Sequence, residues 1–287
     1  MCTWEQLPYD IKYIIINQLN PIERFNFKLV SKSSKRLIES IPFHCDTVKI
    51  FHYDRITSIP TGIVYSSLSF NAVLDYCNFV VENVKETVII NRKNHSKTIE
   101  LESEEEAKEF VEKCIRGFLM DGMTRMKLFK TNVPHHELFG TTSTTKIHTK
   151  TGHIQCKESD DINKWLQNMT NTKQLIITDF NGYTRKLIGI GTNDILLNCD
   201  MLTLRGENDI SDKELITMKC TMLKLDAWNL TARGITEFLK RKIEREDMLD
   251  IQFELIGTQM QENAIFERLG MEMGDIATNP GSELIVE

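Results

Sequence analysis

The sequence predicts an α+β protein, with three short helices at the N-terminus and a larger, irregular βα domain behind them. Two observations carry this expectation. Apolar residues between Pro8 and Pro42 recur at helical spacing and are punctuated by prolines and serines. Beyond Cys45, short apolar or β-branched runs alternate with helical stretches, and three runs share a form: Met201-Leu-Thr-Leu, Met222-Leu-Lys-Leu and Met248-Leu-Asp-Ile. A chain of 287 residues holds one small module and one larger domain. The expected boundaries are a helical module over 1–44, a domain over 45–270 and a turn-rich tail over 271–287 that frays.

In the first helix Ile11, Ile14, Ile15 and Leu19 share one side, Pro8 starts it and Asn20-Pro21 stops it. Asn20 then caps the second helix, Pro21 suits its first position, and Glu23 stands three residues after the cap. Its apolar side is Ile22, Phe25, Leu29 and Val30. The third helix follows Ser31 or Ser33, carries Leu37, Ile38 and Ile41 inward, and ends before Pro42, because the residue preceding a proline disfavours the helical region. Domains shorter than about 40 residues usually need a staple or a partner to cover their apolar surface. This stretch has no zinc-ligand spacing and no paired cysteines, so either a partner protein covers it or it caps the rest of its own chain.

The pattern Leu7-Pro8, Asp10, Ile11, Ile14-Ile15, Leu19, Asn20-Pro21, Arg24, Leu29-Val30-Ser31-Lys32 and Leu37-Ile38 resembles the F-box motif in order and spacing. Ser34 stands where many F-boxes place a tryptophan. The resemblance implies docking on a Skp-family adaptor, which joins the chain to a cullin scaffold in a ubiquitin ligase. Carried over residue by residue, the adaptor contacts are Leu7, Pro8, Ile11, Ile15, Leu19, Leu29, Val30 and Ser31. The run Val30-Ser-Lys-Ser-Ser-Lys-Arg-Leu-Ile-Glu-Ser40 and the chain length resemble the nematode F-box families, whose remaining chain is an F-box-associated domain.

Composition narrows the partners. With 41% hydrophobic and 26% charged residues the chain reads as globular, and a net charge of -6 argues against broad nucleic-acid binding, which needs clustered positive charge. No apolar run reaches the eighteen or so residues of a spanning helix, and no basic stretch followed by a hydrophobic signal region is present. The expectation is no membrane association and a cytoplasmic or nuclear location. Seven cysteines at scattered positions show no framework spacing and fit a reducing compartment.

The larger domain begins with a strand over Asp46–Tyr53, and Asn78–Glu82 and Glu86–Asn91 read as strand pieces before a polar turn over Asn91–Lys97. Ser103-Glu-Glu-Glu106 is a capping-box sequence, and Phe110, Val111, Cys114, Ile115 and Phe118 recur at helical spacing until Asp121-Gly122. Strands follow at Met126–Phe129, Thr145–His148, Gln174–Thr178, Met201–Leu204, Met222–Asp226 and Met248–Phe253. Helices are expected over Asp160–Met169, Ser211–Met218, Thr231–Arg245 and Met260–Leu269. Strand spacing of roughly twenty to thirty residues is that of leucine-rich-repeat and related βα solenoids, with a compact α+β domain and a mixed sheet as the alternative.

No catalytic constellation emerges. His135-His136 beside Glu137 and the pair His153 and Cys156 lack a second ligand pair, so no metal is expected. Gly189-Ile-Gly191 lacks the third glycine of a dinucleotide loop, and no nucleophile elbow or phosphate loop appears, so no cofactor is expected. Trp165 and Trp228 read as core, and Trp4 has the better claim to an interface. Tyr183, Arg185, Arg205 and Asp226 are candidates for an exposed strand face. The expected function is a non-catalytic substrate receptor of a Skp-cullin-F-box ubiquitin ligase, binding an unidentified protein through its C-terminal domain. The alternative is an enzyme with its site in that domain and the N-terminal helices as an intramolecular cap.

Overall fold

The computed structural model describes residues 4–19, 23, 24, 27, 30–56, 64–74, 77–92, 95–119, 124–140, 145–156, 158–178, 187–226, 229–243, 252–256, 278, 279 and 283–286. The fold is mixed α and β. The chain divides into two compact units, Met1–Lys127 with Ser143–His148, and Leu128–Thr142 with Thr149–Glu287. The division falls inside two strands, β6 (Thr124–Thr131) and β7 (Ile147–Ile154).

In the first unit a 3-10 turn at Trp4–Gln6 precedes α1 (Tyr9–Gln18), which Pro8 opens as its N-cap. Helix α2 (Lys32–Ser40) starts at Ser31, whose hydroxyl accepts a bond from the Ser34 amide, and Ile41 closes it before Pro42. Of the helix expected between them, Glu23, Arg24 and Phe27 are helical, and Asn20, Pro21, Ile22, Phe25 and Leu29 lie outside the described residues. Ile16, Ile38 and Ile41 form the core here, with Trp4, Leu19, Phe27 and Leu37 packed against it.

An antiparallel meander follows: β1 (Phe43–Ile56), β2 (Val64–Leu74), β3 (Cys77–Val84), β4 (Thr87–Arg92) and β5 (His95–Glu100). Helix α3 (Glu104–Leu119) lies against β2, β3 and β4 through Ala107, Val111, Ile115 and Leu119. Ser103 caps it by accepting from the Glu106 amide at 3.2 Å, as its sequence suggested. Two readings are corrected. Strand β2 was not expected, although Ser67-Leu-Ser-Phe-Asn-Ala72 alternates polar and apolar residues at period two; Leu68, Phe70 and Ala72 are at most 2% exposed, and Ser67 and Ser69 on the other face are buried too, at 0% and 8%. His95–Lys97 belongs to a strand and not to a turn. Its polar side chains are exposed, and it holds its place through backbone pairing with β4 at the sheet edge, a contribution that composition does not record.

The second unit is built on parallel strands. Between β6 and β7 lies α4 (His135–Phe139), and then come α5 (Ser159–Asn168), the short β8 (Met169–Thr170) and β9 (Gln174–Ile177). The chain continues through α6 (Asp194–Asn198), β10 (Met201–Leu204), α7 (Asp212–Thr217), β11 (Met222–Asp226), α8 (Ala232–Ile243) and β12 (Gln252–Ile256). Strands β7, β9, β10, β11 and β12 pair in that order, all parallel. Strands β13 (Thr278–Asn279) and β14 (Glu283–Val286) extend the β12 side antiparallel.

Register aligns the repeated residues. Leu175, Leu202, Leu223 and Phe253 form one ladder across β9 to β12, and Ile177, Leu204, Leu225 and Leu255 form the next. The leucines and isoleucine of β9, β10 and β11 are at most 1% exposed. The third copy of the motif is therefore Gln252-Phe-Glu-Leu255, paired with Met222-Leu-Lys-Leu225, and not Met248-Leu-Asp-Ile251, which precedes β12. Residues 248–251 lie outside the described residues, and the parallel register sets Phe253 beside Leu223 and Leu255 beside Leu225. Strand β7 likewise runs beyond the expected His148 to Ile154, because Ile154 pairs with Ile177 and is fully buried.

The connecting helices pack consecutively, α4 on α5, α5 on α6 and α7 on α8, with Trp165, Leu166, Leu196, Leu215, Ile235 and Phe238 buried. Helices α4 and α6 were not expected, since five residues give too few turns for a helical period to register. The Ser211 and Glu214 capping box opens α7. Asp212 accepts from the Thr231 amide at 2.8 Å and so ties the start of α8 to α7. The expected helix over 260–269 lies outside the described residues.

Candidate functional site

Pro8 cannot donate a backbone hydrogen bond and has its φ preset near −65°, which suits the start of α1. The helix then presents Tyr13-Ile14-Ile15-Ile16, four large apolar residues in a row, so apolar surface points in several directions at once. Only one can face the small core, and that is Ile16, at 0% exposure. Ile11 (43%), Ile14 (56%) and Ile15 (37%) are left outward, with Tyr9, Tyr13 and, beyond the helix, Val30 at 68%. Large apolar and aromatic side chains are thus exposed along α1.

A buried arginine holds the patch's scaffold together. Arg24, 6% exposed, donates through Nε to the Ile16 carbonyl at 3.1 Å, through Nη1 to the Ile41 carbonyl at 3.2 Å, and through Nη2 to Asn17 Oδ1 at 3.3 Å. Ile16 lies in the last turn of α1 and Ile41 is the C-cap of α2, so one cation serves the carbonyl ends of both helices, where positive charge is favoured. Burial lowers its pKa to about 10, which leaves it charged near neutral pH.

The residues named from the motif divide into groups. Pro8, Ile11, Ile15 and Val30 are exposed, and Leu7 is half-buried. Leu19 packs on the Ile16, Ile38 and Ile41 core. Ser31 caps α2 and bonds the Ser34 hydroxyl at 2.9 Å, and Leu29 lies outside the described residues. Ser34, in the position where a tryptophan is common, is fully buried beneath that cap. Trp4 stands edge-on to Phe27, centroids 4.7 Å apart, at the margin of the same core. Sequence reading missed Tyr9 and Tyr13, although their spacing of four residues places them together on one side of α1.

The second unit offers side chains of other kinds. His136 Nδ1 lies 2.8 Å from Asp161 Oδ1, and this bond raises the imidazole pKa above its usual range. His135 is buried against Trp165 and takes a bond from Asn168 Nδ2 at 3.1 Å, and burial lowers its pKa. Neighbouring histidines thus have separate structural partners. Among the described residues no group of three or more His, Cys, Asp or Glu is placed to hold a metal ion. Burial pushes the thiols of Cys220 and, in the first unit, Cys114 up to about 11 and Cys199 up to about 12, far from a reactive thiolate.

On the strand face opposite the buried ladders, His153 bonds Thr178 Oγ1 at 3.2 Å and Thr151 donates to Gln174 at 3.0 Å. Arg205 and Asp226, named from the sequence, meet at 3.0 Å, and Asp226 also accepts from the Gly206 amide at 2.8 Å. Tyr183, Arg185 and Trp228 lie outside the described residues.

Residues 4–46 match the F-box domain, the segment whose helices carry the exposed apolar patch, and this supports an F-box protein. No match to the chain occurs among curated proteins or among solved structures. An F-box points to a component of a Skp-cullin-F-box ubiquitin ligase, and proteins that carry one generally act as non-catalytic adaptors for substrates.

Proposed function

We propose that this protein is the substrate-recognition subunit of a Skp-cullin-F-box ubiquitin ligase. The N-terminal module, residues 1–44, docks on a Skp-family adaptor through Leu7, Pro8, Ile11, Ile15, Leu19, Leu29, Val30 and Ser31. The domain over 45–270, a nematode-type F-box-associated domain with leucine-rich-repeat-like βα units, holds a target protein; of the segment 271–287, expected as a tail, β14 pairs with β12 and so extends that domain's sheet. Its place of work is the cytoplasm or nucleus.

The observation that carries this reading is the outward apolar patch on α1. An exposed Ile side chain contributes about 1.5–3 kcal/mol when fully buried, so Ile11, Ile14, Ile15 and Val30 together supply enough to drive a specific complex after ordering costs. Ubiquitin transfer then follows from proximity, because the receptor raises the effective concentration of a target lysine near the charged conjugating enzyme and needs no nucleophile of its own.

Capture by a purified Skp-family adaptor tests the reading. The wild-type chain binds, and Ile11→Asp loses binding by about a hundredfold or more while its circular dichroism is unchanged, because a charge in a desolvated interface is costly. A well-folded wild type that fails to bind sinks the receptor reading. Global unfolding by Ile11→Asp would instead favour the intramolecular cap.

A further inference from the structure

We infer that the edge strand β5 pairs with β5 of a second copy of this chain, antiparallel about a twofold axis at Thr98. The two meanders then join into one continuous sheet.

Strand β5 ends the order of the sheet, and all its side chains but Ile99 are exposed. Which of its backbone groups stay unpaired follows from the ladder. Leu101 N donates to the Glu86 carbonyl at 3.0 Å, and the β4 to β5 register carries that row on through Val88 with Ile99, Ile90 with Lys97 and Arg92 with His95. Bonded and unbonded pairs alternate in an antiparallel ladder, so these are the bonded pairs. The other side of β4 agrees. Val84 and Thr87 are joined by a two-residue connection in which Lys85 has a φ of 53°, and such a turn closes on a bonded pair, so Thr87 faces β3 and Val88 faces β5. The N–H and C=O groups of Ser96, Thr98 and Glu100 therefore point out from the edge. Among the described residues no bond to them is found.

The strand is complementary to itself. Two copies of β5 related by a twofold axis bond only where outward groups meet outward groups. With Thr98 opposite Thr98 of the second copy, Ser96 meets Glu100 at both ends, and every outward N–H and C=O is paired. Threonine then stands against threonine, the serine hydroxyl can donate to the carboxylate across from it, and Lys97 lies beside Ile99, so no like charges are directly opposed. The neighbouring registers are poorer. One sets Lys97 against Lys97 and leaves Glu100 unpaired; the other sets Ser96 against Glu102, whose amide already donates to Glu106 Oε2 at 3.2 Å. In the favoured register the two Lys97 side chains are diagonal neighbours, about 7–8 Å apart, which weakens the pair without blocking it. An unrelated extended segment meets the same backbone groups, but the exposed side chains of β5 are all polar and give it no apolar anchor by which to be selected. The contact is small, so the dimer forms and dissociates with concentration.

Sedimentation velocity of the full chain over a dilution series tests the pairing. The wild type shifts from monomer to dimer as its concentration rises. Thr98→Pro weakens the dimer about tenfold or more, because it removes both donors on the axis and touches no bond to β4, whereas Thr98→Val keeps the donors and the dimer. Amide exchange followed by NMR reads the register: Ser96, Thr98 and Glu100 slow only at high concentration, and Lys97 and Ile99 are slow throughout. Mild air oxidation cross-links Thr98→Cys chains above the wild-type level, since Cα atoms of a bonded antiparallel pair lie about 5.5 Å apart, and leaves Ser96→Cys at that level. The cross-link decides the matter even where the proline disturbs β5. A monomer at every concentration, a dimer that Thr98→Pro leaves intact, or no excess cross-link at Thr98→Cys overturns the inference. So does slowing of the Ser96, Thr98 and Glu100 amides in a monomer when a Skp-family adaptor is added, which would assign the edge to that partner.

Discussion

The two units treat the same raw material, amphipathic helices, in opposite ways. In the second unit α5 buries Ile162, Trp165 and Leu166 completely against neighbouring elements. In the first, α1 carries a comparable apolar load and buries Ile16, while Ile11, Ile14 and Ile15 remain outward. The difference is the amount of structure available to cover each helix. Helix α5 has neighbouring helices and a parallel sheet, whereas α1 shares a core built on Ile16, Ile38 and Ile41. A small core leaves apolar surface for a partner, and a large one consumes it.

Core truncation should show the contrast most strongly. Trp165→Ala removes a side chain at 0% exposure that packs on Phe129 and donates to the Val133 carbonyl at 3.0 Å, and it should cost about 3–5 kcal/mol in urea unfolding of the second unit. Ile16→Ala tests the smaller core and should cost about 2–5 kcal/mol, while Ile15→Ala one position along stays within about 0.5 kcal/mol and weakens adaptor capture instead. Equal destabilisation by both would mean that α1 has no open side.

The smallest effect is one of pH. His153 falls from the usual 6.5 to about 4 on folding, so between these values the unfolded chain binds more protons and stability declines as the pH falls. His136 acts in the opposite sense, because its raised pKa adds stability that is present below about 6.5. Replacing His153 by Gln should flatten the acid decline seen in chemical denaturation between pH 7 and about 4, and Asp161→Asn should steepen it. A decline unaffected by His153→Gln would assign it to other groups.

Much of this was legible in the chain. Pro8, the Ser31 cap, the Ser103 cap and the Ser211 and Glu214 box mark helix starts by local hydrogen-bond chemistry, which depends on neighbours in sequence. Strands β9, β10 and β11 were legible because their leucines and isoleucines alternate with more polar residues at period two. Arg24 could be read only as part of a motif, since the carbonyls it serves belong to residues 8 and 17 positions away. The patch was half legible: an apolar run such as Tyr13 to Ile16 announces a buried or docking helix but does not say which residue faces inward.

What the sequence determined by itself, then, was local: caps, helix starts, the period of the strands and the motif of the first forty-odd residues. Tertiary structure decided the rest. It chose Ile16 over Ile15 as core, placed polar His95–Glu100 in a strand, set Gln252 instead of Met248 opposite Met222, and brought Lys130 beside His153. Each of these depends on register between segments distant in sequence. Register is set by the joint burial of whole ladders, a free energy that no single segment contains.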